Sequence, residues 1–74
     1  MKQENIDRAE RAETAINHYA ENCLHQKSGE QSTEENIIDL ITDLLHLCQK
    51  ERIKIMPVLR MARMNYNDES GKAI

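Results

Sequence analysis

Residues 37–48, Ile-Ile-Asp-Leu-Ile-Thr-Asp-Leu-Leu-His-Leu-Cys, are the stretch that decides the fold of this chain. At 100° per residue, their eight apolar side chains occupy one half of a helical wheel and the four polar side chains occupy the other half. An ordinary surface helix needs an apolar stripe of about 100°, whereas this arc is close to 180°. The pattern therefore predicts a central amphipathic helix with enough apolar surface for two neighbours.

The boundaries of this helix follow from the residues around it. Ser32 and Glu35 have the spacing of a capping box, which predicts a helix over residues 33–50. Gly29 is a plausible C-cap for a preceding helix, which the sequence predicts over about residues 4–27. The apolar face of that first helix consists mostly of alanine, which gives helix propensity but buries little surface, so the helix must lie against something larger.

A third helix is predicted over about residues 57–68. Pro57 suits a first helical turn, where its missing N–H costs nothing, and the residue before it is pushed out of the α region. Residues 69–74 are expected to form a frayed tail. The face of the third helix that should meet the core consists of Ile55, Val58, Leu59, Ala62 and Tyr66. The chain is therefore predicted to be one all-α domain over residues 1–74, a three-helix bundle whose second helix is buried between the other two.

The length of the chain favours a homodimer. A domain of 74 residues buries only about 60% of its unfolded surface, and small scaffolds obtain extra stability from disulfides, metals or oligomerisation. Cys23 and Cys48 are too few for a disulfide-rich scaffold, and each is expected to be a small buried hydrophobe. The polar start of the chain predicts no secretion signal, and its apolar runs are too short for a membrane span, so we expect a cytoplasmic protein.

The charge of the chain is unevenly distributed. Residues 1–49 have a net charge of −6, and residues 50–74 have a net charge of +3. The basic cluster could present a helix-turn-helix to nucleic acid, through Arg52, Lys54, Arg60 and Arg63. Against this, the connector lacks a glycine and the whole chain is acidic, at −3. The arginines could equally pair with the acidic residues of the first two helices, within one chain or between chains.

The polar side of the second helix holds the only residues from which a metal site or an enzyme could be built: Glu35, Asp39, Asp43 and His46. Asp43 and His46 have the i,i+3 spacing of metal sites in helical bundles. The stripe points away from the apolar arc, however, so we expect it to face water or a partner. No nucleophile has an evident base, and no glycine-rich phosphate loop is present, so we expect neither catalysis nor a cofactor.

Residues 37–48, followed by Val58-Leu-Arg-Met-Ala-Arg-Met-Asn-Tyr66, resemble small helical proteins of bacterial plasmids, integrated elements and phages. The resemblance implies an accessory protein of a mobile element or its host, and it brings no catalytic residues to transfer.

The sequence thus predicts a small non-enzymatic interaction or regulatory module that binds itself and an unidentified protein. The expected partner surface combines polar residues with two methionines that could form an adaptable patch: Asp39, Asp43, His46, Arg60, Arg63, Met61 and Met64. The alternative is the nucleic-acid binder described above.

Overall fold

The computed structural model describes residues 2–27 and 29–74, and these form three helices with no strand among them. The helices are α1 (Gln3–Asn22), α2 (Thr33–Lys50) and α3 (Ile55–Ser70). Helix α2 contacts both α1 and α3. The predicted all-α class is confirmed.

Helix α1 ends at Asn22, five residues before the predicted end. The N–H groups of Cys23 and Leu24 both donate to the carbonyl of Tyr19, and His25 then adopts a left-handed conformation with φ 55°. Gly29 also has a positive φ, but it lies in the loop, and the prediction that it caps α1 is wrong. Because Cys23 lies just beyond the helix, its side chain is exposed, and the prediction that it is buried is wrong.

Helix α2 has the predicted bounds because its N-terminal cap forms as expected. The Ser32 hydroxyl accepts a hydrogen bond from the Glu35 N–H at 3.2 Å. Glu34 and Glu35 occupy the first turn and Lys50 the last, which suits the helix dipole at both ends.

The connection from α2 to α3 is a tight turn built on Arg52. Its φ is 57°, and its N–H donates to the carbonyl of Gln49 while the Ile53 N–H donates to the carbonyl of Cys48. These two bonds form a Schellman motif, in which the left-handed position is usually glycine. The turn shows that the chain makes a glycine-type C-cap without a glycine.

Helix α3 is longer than predicted at both ends. It begins at Ile55, so Pro57 lies third in the first turn, where the N–H groups have no helical partner in any case. It continues to Ser70 and is capped by Gly71, whose φ is 70° and whose N–H donates to the carbonyl of Asn67 at 2.9 Å. The predicted frayed tail is wrong over residues 69–70, which are helical.

The molecule is flat and open, with Cα extents of 35 × 34 × 15 Å. Its radius of gyration is 13.9 Å, against about 11 Å expected for a compact chain of this length. Among the described residues, the only buried side chains are those of Ile16, Ala20 and Asn36. The prediction that α2 is buried between its neighbours is therefore wrong: α2 contacts both helices but is covered by neither.

Candidate functional site

Helix α1 packs on the polar edge of α2, not on the centre of its apolar arc. The Tyr19 hydroxyl donates a hydrogen bond to the Asp43 carboxylate. Ile16 and Ala20, the buried residues of α1, lie on the same face of α1 as Tyr19, and Asn36 is the buried residue of α2. On the α2 wheel, Asn36 and Asp43 lie together at one boundary of the apolar arc. Docking at this boundary leaves the middle of the arc without a covering helix.

The loop between α1 and α2 is tied to the same edge by a chain of amides. Gln26 Nε2 donates to Gln31 Oε1 at 2.9 Å. Gln31 Nε2 then donates to Asn36 Oδ1 at 2.9 Å and to Asp39 Oδ2 at 2.7 Å. The network satisfies the buried Asn36 side chain and fixes the polar edge of α2 within the chain.

Two of the predicted partner residues, Asp39 and Asp43, therefore have intramolecular bonds. Asp39 is half-buried and accepts from the loop, and Asp43 accepts from α1. His46 is exposed, and within residues 2–27 and 29–74 no group of three His, Cys, Asp or Glu side chains could hold a metal. The helical pattern predicts that the acidic stripe faces water or a partner, but part of the stripe contacts α1 and its following loop instead.

The contact between Tyr19 and Asp43 changes the acidity of the phenol. The hydrogen bond to the carboxylate raises the pKa of Tyr19 from 10.0 to about 12, and the negative charge of Asp43 acts in the same direction. Ionisation would remove the donor and place two negative charges side by side. The contact therefore exists only while Tyr19 keeps its proton.

The uncovered part of α2 is a set of large aliphatic side chains, which we name the α2 apolar face. Its members are 45% to 56% exposed: Ile37, Ile38, Ile41, Leu44 and Leu47. Leu40, Leu45 and Cys48 complete the arc and are half-buried. The apolar side chains of residues 37–48, which the sequence predicts to form the core, are thus largely accessible to solvent.

Helix α3 does not cover this face either. Its predicted core residues Val58, Leu59 and Tyr66 are 44% to 46% exposed, and Ile55 alone is half-buried. Met61 and Met64 are about half exposed and Met56 is 74% exposed. We name the exposed set Val58, Leu59, Met61, Met64 and Tyr66 the α3 apolar face.

The four basic residues of the nucleic-acid alternative are all exposed: Arg52, Lys54, Arg60 and Arg63. Within the part of the chain that the structure describes, one ion pair lies within 4.0 Å, between Arg8 Nε and Glu69 Oε2 at 3.0 Å. The arginines of α3 consequently do not pair with the acidic residues of α1 and α2 inside the chain. Their charge stays available to another molecule.

A groove of about 760 Å³ lies where the start of α1 meets the end of α3. Asn5 Nδ2 donates to the Glu69 carbonyl at 2.9 Å, and Arg8 pairs with the Glu69 side chain beside it. The groove is also lined by Lys2 and Tyr66. The contact of Asn5 and Arg8 with Glu69 could not be predicted from the sequence, because a helical pattern does not link residues more than 60 positions apart.

The amount of exposed surface is large for a chain of this size. The accessible surface is 6451 Å², whereas a compact monomer of 8.6 kDa is expected to expose about 4,700 Å². The difference is about 1,750 Å², roughly twice what one partner contributes to a standard protein interface.

Comparison of the chain with protein-family models, curated proteins and solved structures gives no match. Among the described residues, none of the helices combines the length and the apolar character that crossing a membrane requires.

Proposed function

We propose that this chain is a small, non-enzymatic interaction module that acts through protein–protein contacts and binds a second copy of itself. The observations that carry the proposal are the surplus of about 1,750 Å² of accessible surface and the exposed large apolar side chains, which are 45% to 56% exposed on α2 and 44% to 74% exposed on α3. Monomers rarely leave contiguous apolar patches of more than a few hundred Å² exposed. Burial against protein is the ordinary way in which such faces are stabilised.

In this proposal the two apolar faces have different occupants. The α2 apolar face binds the second copy, because branched Ile and Leu side chains pack into a fixed interface. The α3 apolar face is offered to another protein, because its Met61 and Met64 can adapt to different surfaces. As part of the proposal, the protein acts in the bacterial cytoplasm, the context that the resemblance implies, and the free thiols of Cys23 and Cys48 suit such a reducing compartment.

Light scattering on a size-exclusion column tests the self-association. We expect twice the mass of one 8.6 kDa chain at micromolar concentration. Ile41→Glu should give a monomer, because it places a charge in the middle of the α2 apolar face. Thr42→Glu is the matched control, since Thr42 lies on the polar side of α2 and its variant should remain dimeric.

A folded wild-type monomer at this concentration would contradict the proposal. If Ile41→Glu loses its helical circular dichroism, Ile41→Ala is the milder variant, and it should weaken the dimer while keeping the helices.

A second candidate, nucleic-acid binding through α3, is favoured by the turn at Arg52. Helix-turn-helix connectors have three or four residues and often contain glycine, and here Arg52 adopts the left-handed conformation that glycine usually provides. In fluorescence anisotropy, this function requires duplex DNA to bind with an affinity that falls steeply between 50 and 200 mM salt. Replacing Arg60 and Arg63 by Ala would abolish that binding, while Arg11→Ala on α1 would not. Absence of binding at low salt would rule the candidate out.

A further inference from the structure

The apolar pattern of α2 is the same in both directions along the chain. From residue 37 to residue 48 the order is two apolar, one polar, two apolar, two polar, two apolar, one polar and two apolar. Each apolar residue n is matched by an apolar residue 85 − n, so that Ile41 corresponds to Leu44 and Ile37 to Cys48. The midpoint falls between Thr42 and Asp43. On the helical wheel, this midpoint points to the centre of the polar side, and the opposite direction is the centre of the apolar arc.

We infer that two copies of the chain pair through antiparallel α2 helices, about a two-fold axis that passes between the levels of Thr42 and Asp43. The inference rests on the proposed self-association and specifies its geometry. An isologous interface requires the same patch on both copies, with residue i meeting residue j and residue j meeting residue i. A pattern that reads alike in both directions meets this requirement for two antiparallel helices.

The structure leaves most of the required residues exposed. Five of the eight apolar residues in the symmetric pattern form the α2 apolar face, because α1 packs on the polar edge and α3 does not cover it, and the other three are half-buried. Along the centre of the face the spacings are four, three and four residues, at Ile37, Ile41, Leu44 and Cys48. This is the a/d spacing with which helices interlock as knobs into holes.

The charges at the two ends of α2 select the antiparallel direction. The helix begins with Glu34 and Glu35, whereas residues 50–54 at its end have a net charge of +2, from Lys50, Arg52 and Lys54 against Glu51. Antiparallel pairing places the acidic start of each α2 at the same level along the seam as the basic end of the partner's α2. Parallel pairing would place like charges together at both ends, and it would also align the two helix dipoles unfavourably.

The area is sufficient for a stable pair. The surplus surface of about 1,750 Å² per chain exceeds the roughly 800 Å² that each partner contributes to an interface of standard size. The chain thus has enough accessible surface for the antiparallel α2 seam and for a further contact on the α3 apolar face.

Cysteine cross-linking separates the two directions. In a parallel dimer the Cys48 residues of the two chains lie side by side. In the antiparallel dimer they are about 16 Å apart along the helices. A disulfide requires Cα atoms within about 7 Å. With Cys23→Ser as the background, we expect no cross-linked dimer from Cys48 under mild oxidation on a non-reducing gel.

Adding Ile37→Cys to this background should produce a covalent dimer, because Ile37 faces the partner's Cys48. Thr42→Cys is the matched control on the polar side of α2, and it should not cross-link. Cross-linking through Cys48 alone, or its absence with Ile37→Cys, would overturn the antiparallel pairing even when light scattering gives a dimer. A monomer in light scattering would overturn the proposed self-association itself.

Discussion

Arg52 is the residue whose backbone is least suited to its side chain. Its φ of 57° lies in the left-handed region, which costs an L-residue about 1–2 kcal/mol. Glycine adopts this conformation freely but loses more chain entropy on folding, by about 0.5–1 kcal/mol. We expect Arg52→Gly to raise the free energy of unfolding by about 0.5 kcal/mol, measured by urea denaturation.

Gly71 provides the opposite substitution at an equivalent position. It caps α3 with φ 70°, and a Cβ placed there would meet no atom within 4 Å. Gly71→Ala should therefore lower stability by about 1 kcal/mol through conformation alone. A loss of stability in Arg52→Gly would contradict the account of the Arg52 cap, and unchanged stability in Gly71→Ala would contradict that of the Gly71 cap.

Tyr19 makes the stability of the fold depend on pH in the alkaline range. Its pKa is 10.0 in the unfolded chain and about 12 in the folded one, because of the hydrogen bond to Asp43. A group whose pKa is raised on folding contributes its stability fully below the unfolded value and loses it as the pH rises through the folded value. The contribution of Tyr19 should thus be complete below pH 10 and disappear by about pH 12.

This prediction is checked by urea denaturation on both sides of the window. Between pH 9 and pH 11.5, the wild-type protein should lose more stability than Tyr19→Phe, which has no phenol to ionise. Tyr66→Phe, the other tyrosine, should follow the wild-type protein. Equal losses in the wild type and Tyr19→Phe would show that the bond to Asp43 does not hold α1 on α2.

At the scale of the helices, local patterns in the sequence predict the bounds of α2 correctly and those of the other two helices approximately. Ser32 and Glu35 identify the start of α2, because a capping bond depends only on neighbouring residues. The end of α1 was predicted too late because it depends on a left-handed His25, which no residue type announces. The end of α3 was predicted too early, although Gly71 was available as a cap.

The position of α1 on α2 could not be predicted from helical patterns. A pattern indicates which side of a helix is apolar, and the alanine face of α1 offers little area with which to compete for the Ile and Leu arc. The site of docking is decided by particular hydrogen bonds, from Tyr19 to Asp43 and from Gln31 to Asp39. The helical pattern assigns Asp39 and Asp43 to the partner surface, because it does not show that both carboxylates accept hydrogen bonds from the same chain.

The amide network is the feature that should hold the loop and the two helices together. Asn36 is 8% exposed, and its side-chain oxygen accepts from Gln31. Gln31→Ala would leave this buried acceptor without its partner, which costs about 1–3 kcal/mol. We expect that decrease in the free energy of unfolding, whereas Gln49→Ala, at an exposed position of α2, should change it by less than about 0.5 kcal/mol. Equal effects of the two variants would contradict the role of the network.

At the scale of the whole molecule, the sequence already indicated more apolar surface than one chain could cover. The prediction came from the 180° arc of α2 set against an alanine-faced first helix and a short third helix. The structure gives this imbalance a size, because the chain is flat and buries only three side chains among those described. What no pattern could supply was the choice of which face stays open, since that depends on where α1 docks.

The thermal stability of a chain with so small an interior should depend on its own concentration. If folding is coupled to dimerisation, each tenfold rise in concentration adds about 1.4 kcal/mol to the stability of the folded dimer. The melting temperature measured by circular dichroism should therefore rise steadily over a hundredfold range of concentration. Ile41→Glu should abolish the dependence, because it removes the interface, and Thr42→Glu should preserve it. A wild-type melting temperature that stays constant over this range would mean that the three buried side chains and the polar contacts between helices suffice to fold the monomer, and the open apolar faces would then need another explanation.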